Sequence, residues 1–229
     1  MKPTRREFLD RLAVGATALG GAAIGLGALP DDLVAAGVGV SQSTAWDLTW
    51  PDRLTGSVRA VYDVPEIEHG LGVWRASIWA RQYEQAMGVP ARECSTALVI
   101  RHLAIILAMK QEYWDRYGVG KDGSVRHPLT REATTRNPAL LGEGDGIPQP
   151  QAGFSLDGFH SRGGVTLACD LAITGSIVPT IARVDGVTRE VARERALALL
   201  VPGVILQPSG VFAVMLAQQR KQANYIRAS

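Results

Sequence analysis

The stretch STALVIRH, residues 95–102, decides the fold class of this 229-residue chain. Residues 95–100 form an apolar run with β-branched side chains, which is typical of a strand buried on both faces of a parallel sheet. Arg101 and His102 follow this strand directly. Ligands of open α/β sheets bind outside the carboxyl ends of the strands, so we expect both side chains at a binding crevice.

A second strand of this kind, Val165 to Ala168, ends at Cys169. Polar and apolar residues alternate over residues 57–64, as in a half-buried strand, and residues 204–206 form a short last strand. Helices are predicted between and after these strands, at residues 70–87, 103–117, 155–162, from 171, 188–200 and 211–222. The alternation predicts a single α/β domain over residues 57–229, with a mainly parallel sheet and helices on both faces.

Residues 121–152 contain many Pro, Gly, Thr and charged residues and predict a long excursion with little regular structure. Asn137-Pro138 predicts a turn that fixes this loop. Loops of such length inside compact domains are usually functional or mobile. At the end of the chain, Tyr225 and Ile226 predict an apolar hook.

The charge and the cysteine content argue against nucleic-acid binding, a disulfide framework and a zinc site. The formal net charge is +2, so we expect no basic surface that could offset the phosphates of a nucleic acid. The two cysteines, Cys94 and Cys169, make no disulfide framework and lie at no zinc-ligand spacing with histidines. One precedes its strand and the other ends its own, so we expect them too far apart for a disulfide.

Glu66, Glu68 and His69 form a cluster of residue types that can ligate a metal. Acidic residues at the N-terminus of a helix are the commoner explanation of such a pattern. We therefore expect no metal and no cofactor. His127 and His160 are isolated in the sequence, and we interpret them as solvated or loop-packing side chains.

The amino terminus resembles a twin-arginine export signal. Arg5-Arg6 is followed by Phe8-Leu9 and then by a weakly apolar run, rich in Gly and Ala, from Leu12 to Leu29. A buried Ala/Gly helix of the domain is the alternative. The run is marginally long for a membrane span, so we interpret residues 1–36 as a cleaved signal or a retained anchor, with residues 12–29 as the membrane tether.

This interpretation implies export by the twin-arginine route, to the periplasm or to the outer face of the cytoplasmic membrane. The thiols would then lie in an oxidising compartment. Residues 37–56 show no sustained periodicity and predict a linker. Trp46 and Trp50 could dock the end of this linker onto the domain.

Several segments, in their order along residues 57–228, resemble the exported branch of the DsrE/DsrF-like family. These segments are residues 101–102, 113–121, 136–138, 164–169, 201–204 and 208–211. The resemblance implies a compact α/β fold of the sulfur-relay type, commonly oligomeric, in which a cysteine after a central strand can carry a persulfide. The matching residue here is Cys169. The partners that the resemblance implies are further copies of the chain and a sulfur donor or acceptor protein.

Cys169 is therefore the candidate catalytic residue, as the persulfide carrier. A helix that begins directly after it would favour the thiolate, whereas the carboxylate of Asp170 would disfavour it. A buried cysteine that only fills the core is the alternative. His102 could orient the thiolate, bind a ligand or hold a loop, and Arg101 could bind an anion or pair with a carboxylate.

A rival function comes from another class of protein. The chain could be a non-catalytic, membrane-tethered binding or assembly subunit that uses the fold as a scaffold and the 121–152 loop as a contact surface. No second cysteine lies near Cys169 in the sequence to resolve a persulfide.

Overall fold

Five parallel strands form the sheet at the centre of the domain. The computed structural model describes residues 46–229. Its strands are β1 (Val58–Val64), β2 (Cys94–Ile100), β3 (Val165–Cys169), β4 (Ile205–Gln207) and β5 (Asn224–Arg227). They lie side by side in the order β4-β3-β2-β1-β5. The prediction of an α/β domain with a parallel sheet is thus confirmed.

The α-helices follow the predicted alternation. They are α1 (Leu71–Met87), α2 (Gln111–Tyr117), α3 (Leu156–Ser161), α4 (Asp170–Ala172), α5 (Val178–Asp185), α6 (Arg189–Ala198) and α7 (Gly210–Lys221). A π-helical stretch, Ile173–Ile177, joins α4 to α5. Short 3-10 helices lie at Trp50–Arg53, Glu68–Gly70, Ala91–Glu93, His102–Ala108, Glu143–Asp145 and Gln151–Phe154.

Two predicted elements differ from the structure. The helix predicted over residues 103–117 is divided into the 3-10 helix His102–Ala108 and α2, because Met109 is extended and forms a β-bridge with Leu200. The apolar hook at the end of the chain is a strand, β5, which pairs in parallel with β1. Both differences arise from pairing between segments that are distant in sequence.

The helices cover the two faces of the sheet unequally. The chain passes from β1 through β2 and β3 to β4 in one direction and then returns to β5 on the other side of β1. Crossovers between parallel strands are right-handed, so connections that run in opposite directions lie on opposite faces. Accordingly, α7 packs on one face with the 3-10 helix Trp50–Arg53, and the other helices contribute to the core of the opposite face.

Trp50 docks the end of the linker onto the domain. Its side chain is fully buried in the apolar cluster between the sheet and α7, together with Leu54, whereas Trp46 is partly exposed. The signal or anchor segment 1–36 and residues 37–45 of the linker lie outside the described residues. Across residues 46–229, no helix combines the length and the apolar character needed to span a membrane.

The long excursion after α2 is anchored by one buried side chain. Asn137 Nδ2 donates hydrogen bonds to the carbonyls of Leu107 (3.0 Å) and Met109 (2.7 Å), and its Oδ1 accepts one from the amide of Ala139 (3.0 Å). Since all three polar groups are buried, these bonds hold the loop against the end of the 3-10 helix that follows β2. The turn predicted at Asn137 therefore has a defined structural role.

Candidate functional site

At or just after their carboxyl ends, β1 to β4 each contribute one polar or ionisable side chain to the α7 face of the sheet, and β5 contributes the longer side chain of Tyr225 from two residues earlier in the register. Val61, Val99, Leu167, Ile205 and Ala223 belong to the apolar cluster beneath α7. Side chains two positions further along an extended chain lie on the same face. These positions are Asp63, Arg101, Cys169, Gln207 and Tyr225, which we call the carboxyl-end row.

Arg101 is fixed by a buried carboxylate from the neighbouring strand. Its Nε and Nη2 donate to Asp63 Oδ1 (2.7 Å) and Oδ2 (2.8 Å), and the Tyr225 hydroxyl donates to Asp63 Oδ2 (2.9 Å). The Asp63 side chain is 3% exposed and that of Arg101 is 29% exposed. The hydrogen bond to Asp63 raises the pKa of Arg101, which stays charged. Of the two roles predicted for Arg101, the structure shows the pairing with a carboxylate.

The guanidinium group keeps donors for a further ligand. The bidentate pair with Asp63 engages Nε and Nη2, and no hydrogen bond from Nη1 occurs within the described part of the chain. A guanidinium group held by a carboxylate on one edge can bind an anion on the other. Arg101 therefore presents a rigid positive charge at the end of the sheet.

A close approach to α7 determines the path of the Arg101 side chain. A Cβ atom on Gly210, the first residue of α7, would lie 2.5 Å from Arg101 Cδ and 2.8 Å from Arg101 Cβ. Only glycine at this position allows α7 to begin directly over the Arg101 stem.

We expect Gly210→Ala to lower the free energy of unfolding by about 1–3 kcal/mol, because the added methyl group overpacks this contact. Chemical denaturation measures the change. Gly144→Ala is the matched control, since a Cβ atom there meets no atom within 4 Å. Equal stability of the Gly210→Ala and wild-type proteins would show that the Arg101 stem moves aside freely.

Cys169 ends β3 and is nearly enclosed. It is a free thiol with a residue exposure of 6%. The register pairs Ile100 with Ala168, so the residues that follow them, Arg101 and Cys169, lie at the same level on neighbouring strands.

Arg193, on α6, reduces the opposing effect of Asp170. Its Nη2 lies 2.7 Å from Asp170 Oδ1, outside hydrogen-bond geometry but close enough for an ion pair, and its Nη1 donates to Thr174 Oγ1 (3.0 Å). The negative charge beside Cys169 is thus partly compensated. Sequence reasoning missed Arg193, because no local pattern links a residue of α6 to the start of α4.

The second thiol lies at the other end of the sheet. Cys94 begins β2, where it pairs with Val58, and it is partly exposed and free. Burial and the nearby carboxylates of Glu84 and Glu93 raise the pKa of its thiol. Cys94 therefore provides an internal comparison for Cys169, since its surroundings disfavour the thiolate.

His102 is exposed, and its nearest acidic group is Glu66, with 3.7 Å between His102 Nδ1 and Glu66 Oε1. Within residues 46–229, no hydrogen bond links His102 to Cys169. The structure therefore brings Arg101 and Cys169 of the three predicted site residues onto one face. The positive φ of 51° at His102 marks the sharp turn that begins the 3-10 helix after β2.

The remaining histidines have structural contacts. His69 Nδ1 accepts a hydrogen bond from the Arg126 amide (3.2 Å). His160 Nε2 lies 2.8 Å from Thr166 Oγ1, and burial lowers the pKa of this ring. His127 Nδ1 accepts hydrogen bonds from two amides of its own loop. Among the residues that the structure describes, no group of three or more His, Cys, Asp or Glu side chains could hold a metal ion.

A pocket of about 160 Å³ opens beside the Asp63–Arg101 pair. Tyr225 of β5 and the first turns of α7 complete its walls. Its rim carries exposed apolar side chains, namely Val211, Met215 and Tyr225. The pocket thus combines the Asp63–Arg101 ion pair, whose Arg101 Nη1 has no acceptor among residues 46–229, with apolar walls, a composition that suits a small polar or polarisable ligand.

A larger and more open pocket, of about 780 Å³, lies between α2 and α6. Its arginines are engaged with one carboxylate: Arg116 Nη2 lies 2.9 Å from Asp185 Oδ1, and Arg195 Nη1 lies 2.5 Å from Asp185 Oδ2. The Tyr117 hydroxyl also donates to Asp185 (3.0 Å). We interpret this cluster as a structural link between α2, α5 and α6, so the carboxyl-end row is the better candidate site.

Comparison with known proteins gives no relative from which a function could be transferred. No family model, no curated protein and no solved structure matches the chain. The resemblance to the DsrE/DsrF-like family therefore stays a prediction from the sequence, and what the structure establishes is a single α/β domain built on a five-stranded parallel sheet.

Proposed function

We propose that the protein handles reduced sulfur as a persulfide on Cys169, as a protein of the DsrE/DsrF-like kind would. The observation that carries the proposal is the position of Arg101. This cation is held by Asp63 and Tyr225 on the same face as Cys169 and at the same level of the neighbouring strand. A thiol next to a guanidinium group at the carboxyl end of a parallel sheet is suited to nucleophilic chemistry.

The chemistry consists of two thiol exchanges. In the first, the Cys169 thiolate attacks a sulfur atom of an inorganic polysulfide; a new S–S bond forms, and the shortened polysulfide leaves with the electron pair of the broken S–S bond. In the second, an acceptor thiolate attacks the outer sulfur, and Cys169 leaves as a thiolate. Arg101 lowers the free energy of the Cys169 thiolate in both steps.

The proposal also states where in the cell the protein acts and which proteins it contacts. The twin-arginine sequence supports action in the periplasm or on the outer face of the cytoplasmic membrane, with residues 12–29 as a tether if they are retained. The exposed apolar rim around the pocket supports contact with a second copy of the chain or with a sulfur donor or acceptor protein.

Intact-mass spectrometry after incubation with polysulfide tests the proposal. We expect the wild-type protein to gain the mass of one sulfur atom, Cys169→Ser to gain none and Cys94→Ser to gain the same mass as wild type. Cys94 is the more exposed thiol, so labelling controlled by access alone would follow Cys94 instead. A wild-type protein without an adduct, or an adduct that requires Cys94, would overturn the proposal.

A second candidate function is a non-catalytic binding or assembly subunit. The enclosure of Cys169 favours it, because a thiol that is 6% exposed can serve as a core residue. The two functions differ in the expected reactivity of Cys169 and in the expected effect of substitutions in the apolar rim. In an assembly subunit Cys169 stays unmodified in the folded protein and reacts only after denaturation, and substitutions in the apolar rim, such as Met215→Lys, change the oligomeric state.

A further inference from the structure

Gln207, at the end of β4, has a polar atom that the fold itself does not satisfy. The side chain is fully buried, and its Nε2 donates to the carbonyls of Asp47 (2.8 Å) and Leu206 (3.0 Å). Within residues 46–229, Oε1 has no hydrogen-bond donor although the atom is buried. Most buried polar atoms in proteins are hydrogen-bonded, so this oxygen requires an explanation.

The orientation of the Gln207 amide follows from its partners. Both carbonyl oxygens need a donor, and only the NH2 group of the amide can provide one. The reversed amide would place Oε1 against two other oxygens and leave the NH2 group without an acceptor. The unpartnered atom is therefore the acceptor, and the site lacks a donor.

Gln207 lies beside Cys169. The two residues are paired in register on neighbouring parallel strands, and they extend the apolar rows of Leu167 and Ile205 on the same face. Neighbouring strands are about 4.8 Å apart, a distance that a glutamine side chain spans. Cys169 thus lies between Arg101 on β2 and Gln207 on β4, at the same level of the sheet.

We propose that Gln207 Oε1 accepts a hydrogen bond from the protonated outer sulfur of a persulfide on Cys169. This inference rests on the function proposed above and adds the protonation state in which the sulfur is held. A neutral S–SH group has a donor on its outer sulfur, whereas the anionic form has none and would be repelled by the amide oxygen. The neutral form is also the electrophile that an acceptor thiolate can attack.

The bonds, the proton and the electron pair of the transfer step can each be assigned. The acceptor thiolate forms a bond to the outer sulfur, and the S–S bond to Cys169 breaks. The proton stays on the transferred sulfur, which leaves as the persulfide of the acceptor, and the electron pair of the broken bond stays on Cys169 beside Arg101. Gln207 acts on the transferred sulfur and Arg101 on the leaving thiolate, so the two residues have separate roles.

Gln207→Met removes the acceptor and keeps a similar volume, and Gln219→Met on the exposed face of α7 is the control. Each protein is loaded with polysulfide, and the excess polysulfide is removed. The protein is then mixed with 2-mercaptoethanol, and intact-mass spectrometry follows the loss of the sulfur adduct. We expect Gln207→Met to transfer sulfur about tenfold more slowly, as the loss of one hydrogen bond implies. The control should match wild type.

The pH dependence of transfer separates this role from a loss of packing. Because the amide oxygen stabilises the protonated persulfide, the decline of the transfer rate with rising pH should begin at lower pH in Gln207→Met. Gln207→Glu, which places a carboxylate there, should move the decline to higher pH. All these variants keep the other charged and titratable groups around the site, which are Asp47, Asp63, Arg101, His102 with Glu66, Asp170 with Arg193, and Tyr225.

Two results would overturn the inference without affecting the proposed function. One is a wild-type transfer rate and pH profile in Gln207→Met. The other is a pH profile of transfer that shifts in the same direction in Gln207→Met and in Gln207→Glu, together with reduced thermal stability of both variants. That result would mean that Oε1 only supports the fold, for instance through a water shared with the unpartnered Nε1 of Trp50. If no variant and no wild-type protein forms an adduct, the proposed function itself is wrong.

Discussion

Arg101→Met is expected to lower the free energy of unfolding by about 3–5 kcal/mol, because it leaves the carboxylate of Asp63 buried without its cation. The Asp63 side chain is 3% exposed, and Arg101 supplies two of its three side-chain hydrogen bonds, so Tyr225 alone would remain. Urea denaturation of the folded domain measures the loss. Persulfide loading of Cys169 should fall in the same variant.

The matched control is an exposed ion pair. Arg136 Nη2 lies 2.9 Å from Asp145 Oδ1 with more than half of its side chain in solvent, so Arg136→Met should change the free energy of unfolding by less than about 1 kcal/mol. The double substitution Asp63→Asn with Arg101→Met should recover part of the stability, since it removes the buried charge. An Arg101→Met protein as stable as the Arg136→Met protein would contradict the buried pair.

Trp50→Ala should also lower the free energy of unfolding by about 3–5 kcal/mol, through the cavity that it leaves. The Trp50 ring is fully buried between the sheet and α7, in a cluster with Leu54 and Val61. Its loss should free the segment before β1, which also provides the Asp47 carbonyl that holds Gln207. Thermal and urea unfolding give the loss of stability, and amide hydrogen exchange shows the released segment.

Leu48→Ala tests whether the effect belongs to the buried ring or to the segment as a whole. Leu48 is 39% exposed, and an exposed truncation of this kind should change stability by no more than about 0.5 kcal/mol. If both substitutions have the same small effect, Trp50 does not hold this segment to the domain.

Local patterns predicted the strands that form the middle of the sheet. The runs that became β1, β2 and β3 are apolar or alternating over several residues, so their burial is visible in the sequence. β5 has four residues, three of them exposed, and it is a strand because β1 offers it a free edge. Likewise, the bridge between Met109 and Leu200 divides a helix that periodicity alone predicts as continuous.

For the candidate site, the sequence by itself determined that Arg101 and His102 follow a strand, that Cys169 ends one, and that all three therefore lie at the carboxyl edge of a parallel sheet. Only the tertiary structure decided which side chains meet there. The return of the chain from β4 across the sheet to β5 brings Tyr225 to Asp63, and the register of β3 with β4 places Gln207 beside Cys169. Strand order and register depend on long-range hydrogen bonds and packing, which local sequence patterns do not encode.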